Sequence, residues 1–422
     1  MAFKIPKPKF SFERKTKTGF LVLDIGTEAI KAVLFTLTSD GVIVQGLSRE
    51  VHNAGDIQKG AVTDFAGIIT TAQRAAAHAE KEAQMKTGEI IVVLGSDFLN
   101  ALPVTFQERR VNPELKINEA ELKNTFHKIY IQSLEKLRAH SLQEGSHIAE
   151  DVKIVDAYIQ DIKIDGYDVG NPLGLEGKVI GFNVFYSFFS TALEDVITHL
   201  AGALGQPIHQ VYAPSFSVSA VIRKDMYPLA DFITIDIGGA STELALTRKG
   251  MVTGIKNFEL GGRTITQRIA SELGIGFWEA EEIKRTYTAG RLSSSVLKKI
   301  KDFIQRDVDL WQSGLDFALR EISFLNILPS DVFIYGGASA FLDFRDILSR
   351  TEWYQSLPFS GKPIIRFLDR RFVKGITFLG QEGKNVPRPD IVSFATCRIV
   401  KERMDRSHLQ DIFERIIRVV ET

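Results

Sequence analysis

Two short segments carry the residue types from which a phosphate and metal site can be built. Phe20-Leu-Val-Leu-Asp24-Ile-Gly26-Thr27 and Phe232-Ile-Thr-Ile-Asp236-Ile-Gly238-Gly239 each run an apolar stretch into Asp-Ile-Gly, 212 residues apart. A strand delivers such an aspartate to the carboxyl edge of a sheet, where α/β folds bind ligands. The glycine permits a tight turn whose backbone N–H groups approach a phosphate closely. Thr27 on one side, and Ser241 and Thr242 on the other, add hydroxyl donors. An aspartate placed directly on a phosphate would repel it. Asp24 and Asp236 therefore fit as outer ligands, through water, of a Mg²⁺ ion that bridges phosphate oxygens. Two such hairpins face to face would clamp a nucleoside triphosphate.

Three glycine pairs, Gly238-Gly239, Gly261-Gly262 and Gly336-Gly337, each follow a strand-like run: Phe232–Ile237, Ile255–Leu260 and Val332–Tyr335. A single pair reads as a structural turn, whereas three in this setting, beside the Asp24 turn, read as one site. The repeated strand-turn-strand plan predicts two halves built alike. Between them, Asp64 is placed to cap a helix reaching Lys86, and Asn118 with Glu121 opens a second helix. Val152–Ile164 and Lys178–Phe189 read as strands, and a helix begins near Pro214. Residues 53–144 read as a self-contained α+β module.

The 422 residues carry 52 basic and 52 acidic side chains, 44% apolar residues and one cysteine. Zero net charge gives no global basic excess to displace counterions, so nucleic acid is excluded as a partner. Cys397 cannot form an internal disulfide. The eight histidines show no metal-binding spacing. No apolar run approaches the roughly 20 residues of a membrane-spanning helix, and the opening residues have no apolar core of a signal peptide. The charge is uneven, however. Residues 1–19 hold six basic side chains against Glu13, interleaved with Phe3, Ile5, Phe10 and Phe12. This reads as a flexible basic arm suited to an anionic membrane surface or an acidic partner. At the other end, residues 401–422 form an amphipathic helix with Leu409, Ile412, Phe413, Ile416, Ile417 and Val420 on one face and five charges of each sign.

These motifs resemble those of the actin-fold ATPases. Asp24-Ile-Gly-Thr27 is similar to the first phosphate motif, Asp236-Ile-Gly-Gly-Ala-Ser-Thr242 to the second, and Ile334-Tyr-Gly-Gly-Ala338 to the adenosine motif. Within that superfamily the segments between the motifs resemble FtsA: Lys59-Gly-Ala-Val-Thr-Asp64, Ile91-Val-Val-Leu-Gly95, the Ile164–Gly177 stretch with its Asn171-Pro-Leu-Gly174, and Ser393-Phe-Ala-Thr396. Gly261-Gly262-Arg263, with Ala280-Glu281-Glu282-Ile283-Lys284, is similar to the segments that in this family hold the nucleoside, which assigns Glu281 and Lys284 that role here. The resemblance implies an α/β, two-lobed actin-like ATPase fold with duplicated ribonuclease-H-like halves and an inserted α+β domain in the first lobe. Its expected division is a basic arm at 1–19, a first lobe at 20–52 and 145–225, the insert at 53–144, a second lobe at 226–400 with a helical subdomain at 266–329, and the terminal helix at 401–422. The implied ligands are ATP and Mg²⁺, held by Asp24, Gly26, Thr27, Lys31, Asp236, Gly238, Gly239, Ser241, Thr242, Gly261, Gly262, Arg263, Glu281, Lys284, Gly336, Gly337 and Ala338.

Three departures separate the chain from FtsA. Lys31, seven residues past Asp24, is placed as in the pilus-assembly protein PilM. Residues 285–328 have a helical pattern where FtsA carries strands that help it polymerise. The terminal helix has neither a linker nor a tryptophan, and its charges cancel. Actin-fold hydrolases supply a water-orienting residue near Tyr212–Ser219, and that tract contains no Glu, Asp or Gln. The expectation is a nucleotide that binds, turns over slowly, and acts as a conformational ligand. The implied role is an adaptor of bacterial cell division, peripheral on the inner face of the cell membrane, binding the tail of FtsZ and open to self-association. The alternative is a PilM-like platform binding the tail of an inner-membrane pilus protein. A third, a phosphotransferase of the same fold, lacks a base in that tract.

Overall fold

The computed structural model describes residues 19–52, 57–58, 61–62, 64–143, 152–226, 231–323, 327–350, 353–379, 391–404 and 408–420. All but the last residue of the basic arm lies outside them. The described residues open with an antiparallel meander of β1 (Gly19–Ile25), β2 (Ala29–Leu37) and β3 (Val42–Val51). Asp64 accepts the Gly67 N–H at 3.1 Å and starts α1 (Phe65–Ala83). The buried stripe of α1 is mostly alanine, and Gly46 lets β3 approach it: a Cβ there would lie 2.2 Å from the Ala79 carbonyl. The helix then returns β4 (Thr87–Leu94) parallel to β1. Its Ile90–Leu94 run is buried throughout, as for a strand covered on both faces.

An α+β unit follows, with β5 (Asn100–Arg109), α2 (Glu119–Gln143), β6 (Val152–Ile164), β7 (Tyr167–Asp168) and β8 (Val179–Ser190). Its four-stranded sheet has the order β5-β8-β6-β7. The chain then passes through α3 (Thr191–Leu204), β9 (Ile208–Tyr212) and α4 (Pro214–Asp225). A second meander comprises β10 (Phe232–Ile237), β11 (Thr242–Arg248) and β12 (Met251–Phe258). Three helices, α5 (Gly262–Leu273), α6 (Phe277–Thr288) and α7 (Ser294–Ile322), lead to β13 (Asp331–Tyr335), α8 (Leu342–Ser349) and β14 (Ile364–Phe367). The last described elements are β15 (Ile376–Phe378), α9 (Ile391–Met404) and α10 (His408–Val420).

The duplication is explicit in the sheets. One has the order β3-β2-β1-β4-β9 and the other β12-β11-β10-β13-β14, each with two antiparallel pairings followed by two parallel ones. The first sheet gains a sixth strand when β15 pairs parallel to β3.

The boundaries differ from those read in the sequence. α1 and β4 belong to the first lobe, because β4 completes its parallel layer and α1 covers it. The inserted unit therefore starts at β5 and takes in β6 and β8, beyond residue 144. β15 and α9 return to the first lobe, where β15 extends the sheet and α9 packs on α4, β1 and β2. α10 is not a free amphipathic helix. Leu409, Ile412, Phe413, Ile416 and Ile417 are buried in the insert core with Phe126, Phe182 and Ile129 of α2 and β8. Gln410 fixes the helix to β6, accepting from Ile159 N–H at 3.0 Å and donating to the Ala157 carbonyl at 2.8 Å.

Candidate functional site

Both Asp-Ile-Gly hairpins lie at the carboxyl ends of the central strands and close in the same way. Gly26 N–H donates to the Ala29 carbonyl at 3.2 Å, and Gly238 N–H to the Ser241 carbonyl at 2.9 Å. These two N–H groups belong to the turns and are not phosphate donors. The hairpins meet: a Cβ on Gly239 would fall 2.4 Å from Thr27 Oγ1. Only glycine permits that approach.

Register makes the two halves chemically unequal. Asp24 stands opposite Lys31 across its hairpin, and Asp236 stands opposite Glu243 across the other. Lys31 Nζ donates to Asp24 Oδ2 at 2.7 Å, and Ser393 of α9 donates to the same oxygen at 3.4 Å. The first carboxylate is thus neutralised within the protein. The second is not. Burial, with Glu243 next in effect, pushes Asp236 up to about 8. Burial likewise raises Glu243 to about 7, and its Oε1 is buried with no hydrogen-bond partner. Asp97, on the loop leaving β4, is raised by burial to about 6 although Ser241 donates to it. Ser96 beside it lies 3.2 Å from the Ser241 hydroxyl.

Such a group of buried carboxyls fits a hard divalent cation, whose charge would offset the burial that raises them and their mutual repulsion. Among the described residues no three His, Cys, Asp or Glu side chains are placed to hold a metal ion together. Magnesium held there would keep waters and phosphate oxygens in its shell.

The remaining motifs gather around the second hairpin. Gly262 and Arg263 N–H donate to the Gly238 and Gly239 carbonyls at 3.0 and 2.8 Å, which seats the start of α5 on the turn. Gly261 has no room for a side chain, since a Cβ would lie 2.6 Å from both carbonyls. Lys284 Nζ bridges the Gly262 carbonyl, Thr266 and Glu281 at 2.9, 2.8 and 2.7 Å. Glu281 also accepts from Thr266 at 2.7 Å. Ala338 closes against Gly262, where an added Cβ would be 3.0 Å from its own. Gly336 has φ +95°, and a Cβ there would sit 2.1 Å from Asp236 Oδ1; Gly337 beside it faces open space. Arg263 reaches back across the cleft, donating to the Thr27 carbonyl at 3.1 Å and stacking 4.7 Å from the Phe277 ring.

The residues put forward from the sequence therefore converge on one cleft, with one exception. Thr242 is buried, donates to the Leu260 carbonyl at 2.7 Å and accepts from Trp311 Nε1 at 2.9 Å. Its hydroxyl braces the hairpin against α7 and is not turned to a ligand. Sequence reasoning missed Glu28, Asp97 and Glu243. Glu243 could have been found, because it lies seven residues past Asp236 as Lys31 lies seven past Asp24. Nothing local marks Asp97.

Comparison with known proteins agrees with the architecture. A family model described as "Cell division protein FtsA" matches residues 233–348. The chain is 24% identical to the cell division protein FtsA of Pseudomonas aeruginosa over 272 residues, 63% of this chain and 60% of that one. It is 24% identical to that of Bacillus subtilis over 270 residues, covering 63% and 57%. It thus spans about 60% of the length of these relatives. The structure of a PilM-PilN type IV pilus biogenesis complex superposes with a TM-score of 0.65 at 16% identity, covering 92% of this chain and 99% of that one. The fold is that of the actin-like ATPases, in two lobes.

Proposed function

We propose that the chain is an ATP-binding adaptor of bacterial cell division, in which Mg-ATP between the lobes selects the arrangement that presents a docking surface to a partner tail. One observation carries this reading. The two hairpins face each other, Lys31 is paired with Asp24, and burial holds the carboxyls of the neighbouring Asp236 and Glu243 raised. Asp236 and Asp24 would hold magnesium through water, and the hydroxyls of Thr27 and Ser241 would meet phosphate. Glu281 and Lys284, with Gly336, Gly337 and Ala338, would hold the nucleoside. Bound Mg²⁺ supplies positive charge against the phosphates. The partner in this reading is the C-terminal tail of FtsZ, at the inner face of the cell membrane. With the apolar face of α10 buried in the insert core, lipid contact falls to the basic arm.

A second reading, a PilM-like platform for the tail of an inner-membrane pilus protein, is favoured by that same docked helix and by the helical run from α5 to α7. The test is fluorescence anisotropy of labelled FtsZ-tail and pilus-protein-tail peptides against the full chain, with and without Mg-ATP. Nucleotide-dependent binding of the FtsZ tail supports the division reading, and binding of the pilus tail the second. No binding of either, with no effect of Mg-ATP, refutes both.

A further inference from the structure

Glu28 follows Thr27 in the first hairpin, and its carboxylate lies between the two hairpins. A Cβ on Gly239 would come within 3.1 Å of Glu28 Oε1 and 3.2 Å of its Cγ. Both carboxylate oxygens are buried and accept no hydrogen bond. The nearest cation is Arg263, whose Nη1 lies 3.4 Å from Oε1 while donating to the Thr27 carbonyl. Burial raises the Glu28 carboxyl, Arg263 opposes that, and Glu281, Lys284 and Arg285 are the other charges that face it. A buried carboxylate without donors is costly to keep. Here it sits where paired hairpins would hold a phosphate, facing cations that would meet one.

We infer that Glu28 is an internal anion standing in for a phosphate group. In the ligand-free chain it engages Arg263 and ties the first hairpin to the second lobe; a phosphate entering between the hairpins displaces it and takes over Arg263. This rests on the nucleotide-binding reading and adds the residue that sets how strongly phosphate is bound. Because Glu28 competes with phosphate for Arg263, its charge penalises ATP far more than adenosine.

The test is equilibrium binding of Mg-ATP and of adenosine to the full chain as wild type, Glu28→Gln and Glu28→Ala, by calorimetry. Removing one like charge from the phosphate position is expected to tighten Mg-ATP binding about tenfold or more, with adenosine changed less than about twofold. Amide exchange of Ile25–Ala29 in the ligand-free variants should quicken as the Arg263 tie is lost. Two results overturn the inference: Mg-ATP bound no more tightly by either variant than by wild type, or ATP and adenosine shifted equally. If wild type and variants alike bind no nucleotide, the nucleotide reading itself falls and this inference with it.

Discussion

Replacing Phe413 by alanine separates two roles for the terminal helix. The ring is fully buried, 4.9 Å from Phe126, which in turn meets Phe182 at 5.3 Å. Loss of a buried phenylalanine costs about 3–5 kcal/mol, the transfer free energy plus the cavity left behind. That is a large part of the 5–15 kcal/mol by which a domain is ordinarily stable. The loss should appear first as local opening of the insert, since α2, β6 and β8 share that core with α10. Urea unfolding should shift to lower midpoint, and amide protection of Phe126–Tyr130 should fall. The exposed Arg415→Ala control should stay within about 0.5 kcal/mol of wild type. The same proteins would be sedimented with anionic vesicles. If Phe413→Ala left urea midpoint and amide protection unchanged while lowering vesicle binding, the helix would be a lipid anchor and the docking argument wrong.

Gly336→Ala places a methyl group against Asp236 Oδ1 at a φ of +95°, and should cost ~2 kcal/mol or more and abolish Mg-ATP binding; near-normal melting and binding would refute the packing described here. Arg403 is buried, paired with both oxygens of Asp156 at 2.6 Å and stacked on Tyr158, Tyr212 and Phe216, so Arg403→Ala should destabilise by about 3–5 kcal/mol in urea. A loss below ~1 kcal/mol would show that the charge of Asp156 finds compensation elsewhere. Asp97, Glu243 and Asp236 are held up to about 6, 7 and 8, so the metal-free fold keeps protons that the unfolded chain releases near its ordinary values of 3.8 and 4.5. Their stabilising effect is complete below about pH 4 and is lost as pH rises through those raised values. The melting temperature in EDTA should therefore fall from pH 5 to 8. Glu243→Gln should flatten that fall by an amount on the order of 3 kcal/mol, and an unchanged slope would contradict the burial argument.

Much of the site was legible because its signals are local. An apolar run into Asp-Ile-Gly fixes both a strand and a turn, and Glu281 and Lys284, three residues apart on α6, share a helix face. Domain limits were not legible, for a physical reason. Ile90–Leu94 is a short apolar run that would suit a central strand of either sheet, and only the long-range pairing with β1 decides. The amphipathic stripe of α10 likewise reports that an apolar face must be covered, not by what. Lipid and the insert core satisfy the same pattern, and the core wins here because Phe126 and Phe182 await it and the backbone of β6 receives Gln410. Glu28, Asp97 and Glu243 matter through what surrounds them in space, and of the three only Glu243 has a spacing that points to it.

The insert meets the second lobe where β5 and β6 lie against β12. Between Ile159 and Asp161 the pairing of β6 with β8 slips, and Gln160 is left over as a bulge. Its side-chain amide turns to the second lobe and pairs with Val252 as a backbone would, donating to the carbonyl at 2.9 Å and accepting from the N–H at 2.8 Å. Four residues earlier Asp156 holds Arg403 of α9, and between them Ala157 and Ile159 hold Gln410 of α10. Within the five residues Asp156–Gln160, β6 thus touches the second lobe, the helix that packs on the first, and the helix that completes the insert. A rotation of β12 against β6 must carry the insert with it or break two amide hydrogen bonds, each contributing about 1 kcal/mol net. Over that range a ligand worth a few kcal/mol decides the outcome. The position of the insert is therefore the part of the molecule in which closure around a nucleotide would be visible to a partner.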